Sequence, residues 1–215
     1  MKNKKIILLG AGGHAKSVLD SIADLNEYSD VAILDDCIFD AHYHNINVSF
    51  FSKNKSLSEL QNDGYLYAFV GVGSVGNTSI RRRLFNELKN NNFIIPNIID
   101  RSAVVSTNIL LGEGNYIGKG AVINAFSKIG DCTIINTKSV VEHDCEVGDF
   151  SHVSSGSVLC GGVVVGKDTH IGAGSVVRQS IKIGDNSLIG IGSVLTKDIP
   201  SNVVAFGSPC RVVKK

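Results

Sequence analysis

Three titratable residues follow one another at Glu142, His143 and Asp144, in a part of the chain otherwise rich in glycine and aliphatic residues. Histidine titrates near neutral pH, so its imidazole can take a proton from an attacking group and release it later. A neighbouring carboxylate raises the proton affinity of such a ring. The triplet is therefore a candidate for general acid–base chemistry, and an exposed, merely charged turn is the alternative.

A glycine-rich loop near the N-terminus indicates a second kind of chemistry. Gly10, Gly12 and Ala15 have the spacing of the dinucleotide fingerprint, and Asp35 and Asp36 end the next strand-like run. In that fingerprint a helix N-terminus receives phosphate and an acidic residue binds a ribose hydroxyl. About 90 residues provide roughly one mononucleotide-binding half, which favours a nucleotide-linked sugar over a dinucleotide. A loop that only serves packing is the third interpretation.

The other histidines and the cysteines give weaker signals. His42 and His44 have the spacing of metal ligands on a strand, but no acidic or cysteine cluster accompanies them, so we expect an exposed loop and no metal. We expect His170 to be a surface residue. Cys145 and Cys160 have no histidine partner at a defined spacing, so we expect no covalent intermediate on either.

Composition excludes several classes of protein. The chain has 215 residues, a net charge of +1 and 43% hydrophobic residues, so it has no basic field to hold nucleic acid or an anionic membrane surface. Its apolar runs are a few residues long, and we expect neither a transmembrane helix nor a secretory signal. Five cysteines without a CxxC pair indicate free thiols and a cytoplasmic location.

The second half of the chain has a period of six residues. Every sixth residue from Ile99 to Leu195 is Ile, Leu or Val, with no insertion. This period fits neither a helix nor an alternating strand, and it predicts short parallel strands joined by tight corners. Three hexapeptides would close one triangular coil, and the coils would stack through backbone hydrogen bonds.

Two further features of the repeat carry predictions. Glycine often follows the inward aliphatic residue, as at Gly112 and Gly148, and we assign those glycines to corners that need positive φ. The outward residues before the inward ones are often aliphatic, and an exposed stripe of that size indicates an interface. We therefore predict a homotrimer, with the stripe formed by Val104, Leu110, Val122, Ile134, Val140, Val158, Val164 and Val176.

The first 95 residues have the pattern of an α/β domain. Strands are predicted at 5–10, 31–34 and 65–72 and helices at 16–25 and 78–90, an order that implies a small parallel sheet. Residues 91–98, around Pro96, form the join. We predict a Rossmann-like half-domain over 1–95 and a β-helix with a C-terminal tail over 96–215.

The whole chain resembles the bacterial hexapeptide-repeat sugar acetyltransferases, which comprise sialic-acid O-acetyltransferases and nucleotide-linked 4-amino-sugar N-acetyltransferases. The resemblance is most specific in residues 10–14, 34–36, 136–144, 148–153 and 207–209. It implies an N-terminal Rossmann-like substrate domain, a left-handed parallel β-helix, a homotrimer and acetyl-CoA as co-substrate.

The same resemblance implies roles for individual residues. His143 would be the general base for the attacking amine, and Asp144 would orient it. The residues expected to meet acetyl-CoA, in a groove between neighbouring β-helices, are His152, Gly161, Ala173 and Ile191. The residues expected to bind the nucleotide-linked sugar are Gly12, Gly13, His14, Asp35, Asp36 and Gly73.

These features favour an acetyl-CoA-dependent N-acetyltransferase that acts on a nucleotide-linked 4-amino-4,6-dideoxy sugar in bacterial glycan biosynthesis. O-acetylation of sialic acid or of its CMP-linked form is the alternative within the class. A non-catalytic nucleotide-binding scaffold is disfavoured by the intact triplet at 142–144. A nucleotidyltransferase would need a larger N-terminal domain. The sequence leaves the sugar and its nucleotide open among the UDP, GDP, dTDP and CMP forms.

Overall fold

A four-stranded parallel sheet forms the N-terminal part of the chain in a computed structural model, which describes residues 4–37, 39, 41–52 and 54–214. The strands are β1 (Lys4–Leu9), β2 (Tyr28–Leu34), β3 (Asn47–Phe51) and β4 (Tyr67–Val70), in the order β3-β2-β1-β4. The helices are α1 (Gly13–Leu25), α2 (Leu57–Asn62) and α3 (Ser79–Asn90). The apolar runs of β1, β2 and β4 are buried on both faces, as is usual in parallel sheets.

The structure extends the predicted α/β pattern. The three predicted strands and two predicted helices are present, and the sheet is parallel throughout. The edge strand β3 and the short helix α2 were not predicted, because neither has a clear hydrophobic period. His42 and His44 precede β3 in an irregular segment.

Seventeen two-residue strands then form a β-helix with three parallel sheets, which we call faces 1, 2 and 3. Face 1 contains β5 (Ile98–Ile99), β8 (Tyr116–Ile117), β11 (Ile134–Ile135), β14 (His152–Val153), β17 (His170–Ile171) and β20 (Leu188–Ile189). Face 2 contains β6 (Val104–Val105), β9 (Val122–Ile123), β12 (Val140–Val141), β15 (Val158–Leu159), β18 (Val176–Val177) and β21 (Val194–Leu195). Face 3 contains β7 (Leu110–Leu111), β10 (Lys128–Ile129), β13 (Glu146–Val147), β16 (Val164–Val165) and β19 (Lys182–Ile183).

The predicted inward residues form the core of this β-helix. From Ile117 to Leu195 every one of them is buried, whereas Ile99, Val105 and Leu111, in the first coil, are partly buried. The C-terminal end of the β-helix continues into β22 (Val204–Gly207), which joins face 1 and pairs antiparallel with β23 (Cys210–Lys214). The three-sheet architecture is therefore confirmed, while its left-handedness stays an implication of the resemblance.

The role assigned to the corner glycines was wrong. Positive φ occurs three residues after the inward aliphatic, for example at Gly120 (+64°) and Asp144 (+59°), whereas Gly112 and Gly148 do not have it. A Cβ at Gly148 would lie 2.6 Å from the backbone nitrogen of Lys167 in the next coil. Glycine stands at these positions because adjacent coils approach too closely for a side chain.

Face 1 is covered by the α/β domain. Tyr116 and Ile134 pack into the same buried cluster as α1, so Ile134 is not part of an exposed stripe as predicted. Leu110 and Val164 of the predicted stripe lie on face 3, apart from its five valines on face 2. His170 is also buried, contrary to the expectation of a surface position. Ile134 and His170 point outward from the β-helix but meet the neighbouring domain, which the hexapeptide period by itself does not reveal.

A buried arginine joins the two parts of the chain. The Arg81 guanidinium on α3 donates to the carbonyl oxygens of Val70 (3.3 Å), the last residue of β4, and of Val72 (2.5 Å), just after it. It also donates to the carbonyl oxygen of Cys132 (2.8 Å) in the β-helix. Arg82 forms an ion pair with Asp168 at 2.6 Å nearby. Helix α3 ends at Asn90 and β5 begins at Ile98. The exact limit between the domains, at residues 95 and 96, stays a prediction.

Candidate active site

His143 and Asp144 lie at the corner between faces 2 and 3, in the turn from β12 to β13. Asp144 has a φ of +59°, a left-handed conformation that aspartate adopts more readily than most residues. Its Oδ2 is 2.8 Å from Nδ1 of His143. When the Nδ1–H donates to this carboxylate, the neutral ring keeps its lone pair on Nε2, and Nε2 is the atom that can accept a proton.

The electrostatics of this pair suit a base that works near neutral pH. The hydrogen bond to Asp144 raises the pKa of His143 above its ordinary value, and the negative charges of Asp144 and Glu142 add to the effect. Both side chains are exposed, at 63% for His143 and 62% for Asp144. The site on one chain is thus open to solvent or to another molecule.

Gly161 lies one coil beyond His143 at the same corner and leaves room for the imidazole. A Cβ at Gly161 would lie 2.6 Å from both Cε1 and Nε2 of the ring. The backbone N–H of Gly162 donates to the carbonyl of His143 at 2.9 Å, which ties the two coils together. His143, Asp144 and Gly161 are the predicted site residues that the structure brings into one place at this corner.

His152 lies on face 1 and faces the α/β domain. Its Nδ1 is 2.9 Å from the carbonyl oxygen of Ser74, which can only accept, and its Nε2 is 3.1 Å from Nδ2 of Asn136. This pattern assigns the neutral Nδ1–H tautomer. Burial lowers the pKa of His152 to about 4, and its ring packs edge-on against His170 at 4.8 Å.

The other two residues predicted to meet acetyl-CoA lie at the corner between faces 1 and 2. Ala173 and Ile191 are one coil apart there, and Ile191 is 80% exposed. Three glycines of this corner, Gly156, Gly174 and Gly192, have no atom within 4 Å of an added Cβ. The backbone at this corner is bare, so few side chains would obstruct an extended ligand that bonds to its amides.

The glycine loop before α1 is open at its centre. No atom lies within 4 Å of a Cβ added to Gly12 or Gly13, so a ligand can approach the backbone at the start of the helix. The Asp35 carboxylate accepts the backbone N–H groups of Ala11 (2.8 Å) and Cys37 (3.0 Å). The hydrogen bond from Cys37, followed in size by that from Ala11, lowers the pKa of Asp35. Asp36 accepts a hydrogen bond from Ser52 at 3.2 Å.

His14 does not point into this open loop. Its ring packs edge-on against Tyr116 of face 1 at 5.1 Å, and Nε2 is buried without a hydrogen-bond partner in the described part of the chain. Burial, with repulsion from Arg81 and His152, lowers the pKa of His14 to about 3. A Cβ at Gly73 would lie 3.3 Å from that of His14. His14, Gly73 and His152 thus belong to the junction between the domains.

The structure also contains a cavity that the sequence did not reveal. It has a volume of about 570 Å³ and opens at the carboxyl ends of β1, β2 and β4, next to Gly10 and Asp35. Residues 54–58 form one wall, and Ile80, Arg83 and Glu87 of α3 are on the other. The sequence contained little sign of the α3 wall, where Ile80 is an aliphatic residue next to three arginines.

Cys145 of the β-helix is a poor nucleophile. Cys145 is fully buried and its thiol donates to the carbonyl of Cys160 at 3.2 Å. Burial raises the pKa of Cys145 to about 11, so the thiolate is scarce at neutral pH. Among the residues that the structure describes, no group of three or more histidine, cysteine or acidic side chains could hold a metal ion, and no helix is long and apolar enough to cross a membrane.

Two protein-family models match segments of the chain. Residues 5–88 match the family model of the PglD N-terminal domain, and residues 162–197 match that of the bacterial transferase hexapeptide with six repeats. No curated protein sequence matches the chain.

Several solved structures are similar to the chain over nearly its full length. A histidine variant of perosamine N-acetyltransferase from Caulobacter crescentus, in complex with CoA and GDP-perosamine, is 35% identical, covers 98% of this chain and 97% of its own, and has a TM-score of 0.88. PerB from the same organism, with the same two ligands, is 36% identical with 97% of each chain covered and a TM-score of 0.86. The acetyltransferase domain of PglB from Neisseria gonorrhoeae, in complex with acetyl coenzyme A, is 31% identical, with 98% and 100% covered and a TM-score of 0.86.

Proposed function

Because this chain belongs to the PglD-type hexapeptide-repeat acetyltransferases, we propose that it transfers an acetyl group from acetyl-CoA to the amine of a nucleotide-linked 4-amino-4,6-dideoxy sugar. PerB, which is solved with CoA and GDP-perosamine, supports this substrate class. The acetyltransferase domain of PglB, which is solved with acetyl coenzyme A, supports the acetyl donor. The residues before the β-helix would hold the nucleotide, and the β-helix would hold acetyl-CoA and the base.

The observation that carries the proposal is the pair of His143 and Asp144. The 2.8 Å bond between Nδ1 and the carboxylate holds the ring in one tautomer and leaves Nε2 as the acceptor. Acetyl-CoA supplies an activated acetyl thioester when it is bound. The sugar amine must lose a proton as it attacks, and Nε2 of His143 takes it. Asp144 stabilises the imidazolium that results, and the proton later leaves to the departing thiolate or to solvent.

The position of His143 supports a homotrimer. The α/β domain of the same chain covers face 1, whereas His143 is at the corner opposite that face. A nucleotide-linked sugar held by the chain's own α/β domain is therefore on the wrong side of the β-helix for His143. A second copy must bring its substrate domain or its CoA groove to this corner.

Face 2 supplies a surface for that contact. Its outward residues are valines in register from one coil to the next, of which Val104, Val176 and Val194 are exposed. This stripe lies between the corner of His143 and the corner of Ala173 and Ile191. Packing face 2 against a second copy would bury the valines and join a base from one chain with a cofactor groove from another.

The test is acetyl transfer with a defined set of acceptors. Release of the CoA thiol is followed with GDP-, UDP- and dTDP-linked 4-amino-4,6-dideoxy sugars and with sialic acid and CMP-sialic acid. We expect release only with an amino-sugar nucleotide, and His143→Ala should lower kcat/KM by about 10²–10⁴-fold, the usual size of general-base catalysis. Release with sialic acid alone would replace N-acetylation by O-acetylation. Near-normal turnover by a folded His143→Ala protein would exclude His143 as the base.

A further inference from the structure

The cavity of about 570 Å³ beside Asp35 is lined by both apolar and charged side chains. Leu57 on one wall and Ile80 and Leu84 on the other provide apolar surfaces, and Ile80 is 52% exposed in spite of its apolar side chain. Polar and charged residues line the rest of the cavity. Apolar surfaces beside polar groups suit a ligand with an aromatic ring whose edges carry donors and acceptors.

Two charged residues on α3 line this cavity and have no side-chain partner among the described residues. Arg83 and Glu87 are one helical turn apart and exposed, and neither forms an ion pair or side-chain hydrogen bond in the part of the chain that the structure describes. By contrast, Lys55 on the opposite wall is paired with Glu59 at 3.1 Å. An unpaired arginine and an unpaired glutamate at one cavity offer a set of donors beside a set of acceptors.

This arrangement is complementary to guanine. Guanine presents two acceptors, O6 and N7, on one edge, and two donors, N1–H and the 2-amino group, on the adjacent edge. We propose that Arg83 donates to O6 and N7 and that Glu87 accepts from N1–H and the 2-amino group, so that the cavity selects a GDP-linked acceptor. The inference rests on the proposed function, of which it specifies the nucleotide.

The other bases satisfy the pair less well. Uracil and thymine present a single donor between two acceptors, which leaves one oxygen of Glu87 facing an acceptor. Adenine has one amino donor next to the N1 acceptor and no carbonyl for Arg83. An unmet or repelled charge weakens binding more than a missing contact does, because the charge has been removed from water.

The experiment measures nucleotide binding by titration calorimetry on the full chain without acetyl-CoA. The ligands are GDP, IDP, UDP and ADP. The base of IDP keeps the O6, N7 and N1–H groups of guanine but lacks the 2-amino group. We expect GDP to bind about 10-fold or more tightly than each of the others, the size of one hydrogen bond to a charged group.

Variants assign the effect to individual side chains. Glu87→Gln should weaken GDP binding by about 10-fold and bring GDP and IDP to within about 3-fold of each other, because the group that senses the 2-amino donor is changed. Arg83→Met should weaken GDP and IDP equally. Glu27→Gln is the matched control. Glu27 precedes β2 at the amino ends of the strands, whereas the cavity is at their carboxyl ends, so this variant should change the affinity for neither GDP nor IDP.

Three outcomes would overturn the inference. These are UDP or ADP binding as tightly as GDP, Glu87→Gln weakening GDP and IDP by the same factor, and no nucleotide binding at millimolar concentration. The two substituted side chains are exposed on α3, so the variants should unfold at the same temperature as the wild type, and a thermal melt checks this. Because these titrations need neither acetyl-CoA nor His143, their failure leaves the acetyl-transfer test to stand or fall separately.

Discussion

Replacing Gly161 by alanine should disable His143 without unfolding the protein. Gly161 does not have positive φ, so alanine fits its backbone, but the new Cβ would lie 2.6 Å from Cε1 and Nε2 of the imidazole. Carbon atoms in contact are about 3.5 Å apart, so the ring must move by roughly 0.9 Å. A shift of that size is enough to break the 2.8 Å bond to Asp144.

The expected loss follows from this displacement. Misplacing a catalytic group by about 1 Å costs up to about 10²-fold in rate, so kcat for acetyl transfer should fall by roughly 10–100-fold. The affinity for the nucleotide should not change, because the glycine loop and the 570 Å³ cavity are in the other domain. The free energy of unfolding should stay within about 0.5 kcal/mol of the wild-type value, since the exposed ring can turn away into solvent.

A double-variant cycle shows whether Gly161 acts through His143. CoA-thiol release is measured for wild type, Gly161→Ala, His143→Ala and the double variant at saturating substrates. If the glycine only makes room for the ring, adding Gly161→Ala to His143→Ala should lower kcat by less than about 2-fold. A large rise in KM for acetyl-CoA with unchanged kcat would refute this reasoning and would make Gly161 a direct cofactor contact.

Four further predictions concern the site, the assembly and the fold. Asp144→Asn should lower kcat/KM less than His143→Ala does, and because the carboxylate raises the pKa of His143, the acid limb of its pH–rate profile should move to lower pH; an unmoved limb would mean that another group titrates. Val176→Asp should convert a species of three times 22.9 kDa into monomers by light scattering, and a wild-type monomer would exclude the trimer. Gly148→Ala should destabilise the fold by about 1–3 kcal/mol in urea, because its Cβ would meet the backbone of the next coil, and an unchanged midpoint would contradict the close-approach explanation. The free energy of unfolding should fall as the pH drops from about 6.5 towards 4, because His152 binds a proton in the unfolded chain while the buried ring, with a pKa of about 4, does not. His152→Gln should reduce this dependence of the unfolding free energy on pH, as measured by urea titrations at several pH values; an unchanged dependence would contradict the explanation.

The β-helix could be predicted from the sequence because its structure is periodic. One coil contains three hexapeptides, so residues 18 apart become neighbours and every inward side chain meets the same kind of environment. The six-residue repeat therefore specifies the strands, the corners and the core together. The α/β half was predicted in outline for a similar reason, since β1, β2 and β4 are continuous apolar runs that only a covered parallel sheet can bury.

The sequence also singled out His143 and Asp144 as a candidate catalytic pair, since they are adjacent and stand in a repeat that has no structural need for them. What the pair requires from the next coil was not predicted. Gly161 was expected only to meet acetyl-CoA, and the space that it leaves for the imidazole of His143 is visible only in the tertiary structure. The glycines at positions such as Gly148 were misassigned because sequence shows where a side chain is missing but not which neighbour excludes it.

Only the tertiary structure decided what faces the junction between the domains. His14, His152 and His170 have outward or loop positions by sequence, yet they are covered where the α/β domain packs on face 1. Arg81 is one of three consecutive arginines, and it alone of the three is fully buried, donating to carbonyls of both domains. The contacts of His14 with Tyr116, His152 with Ser74 and Arg81 with Cys132 join residues that are 51 to 102 positions apart, with no period between them. The packing of the two domain surfaces against each other, rather than a local pattern, determines them.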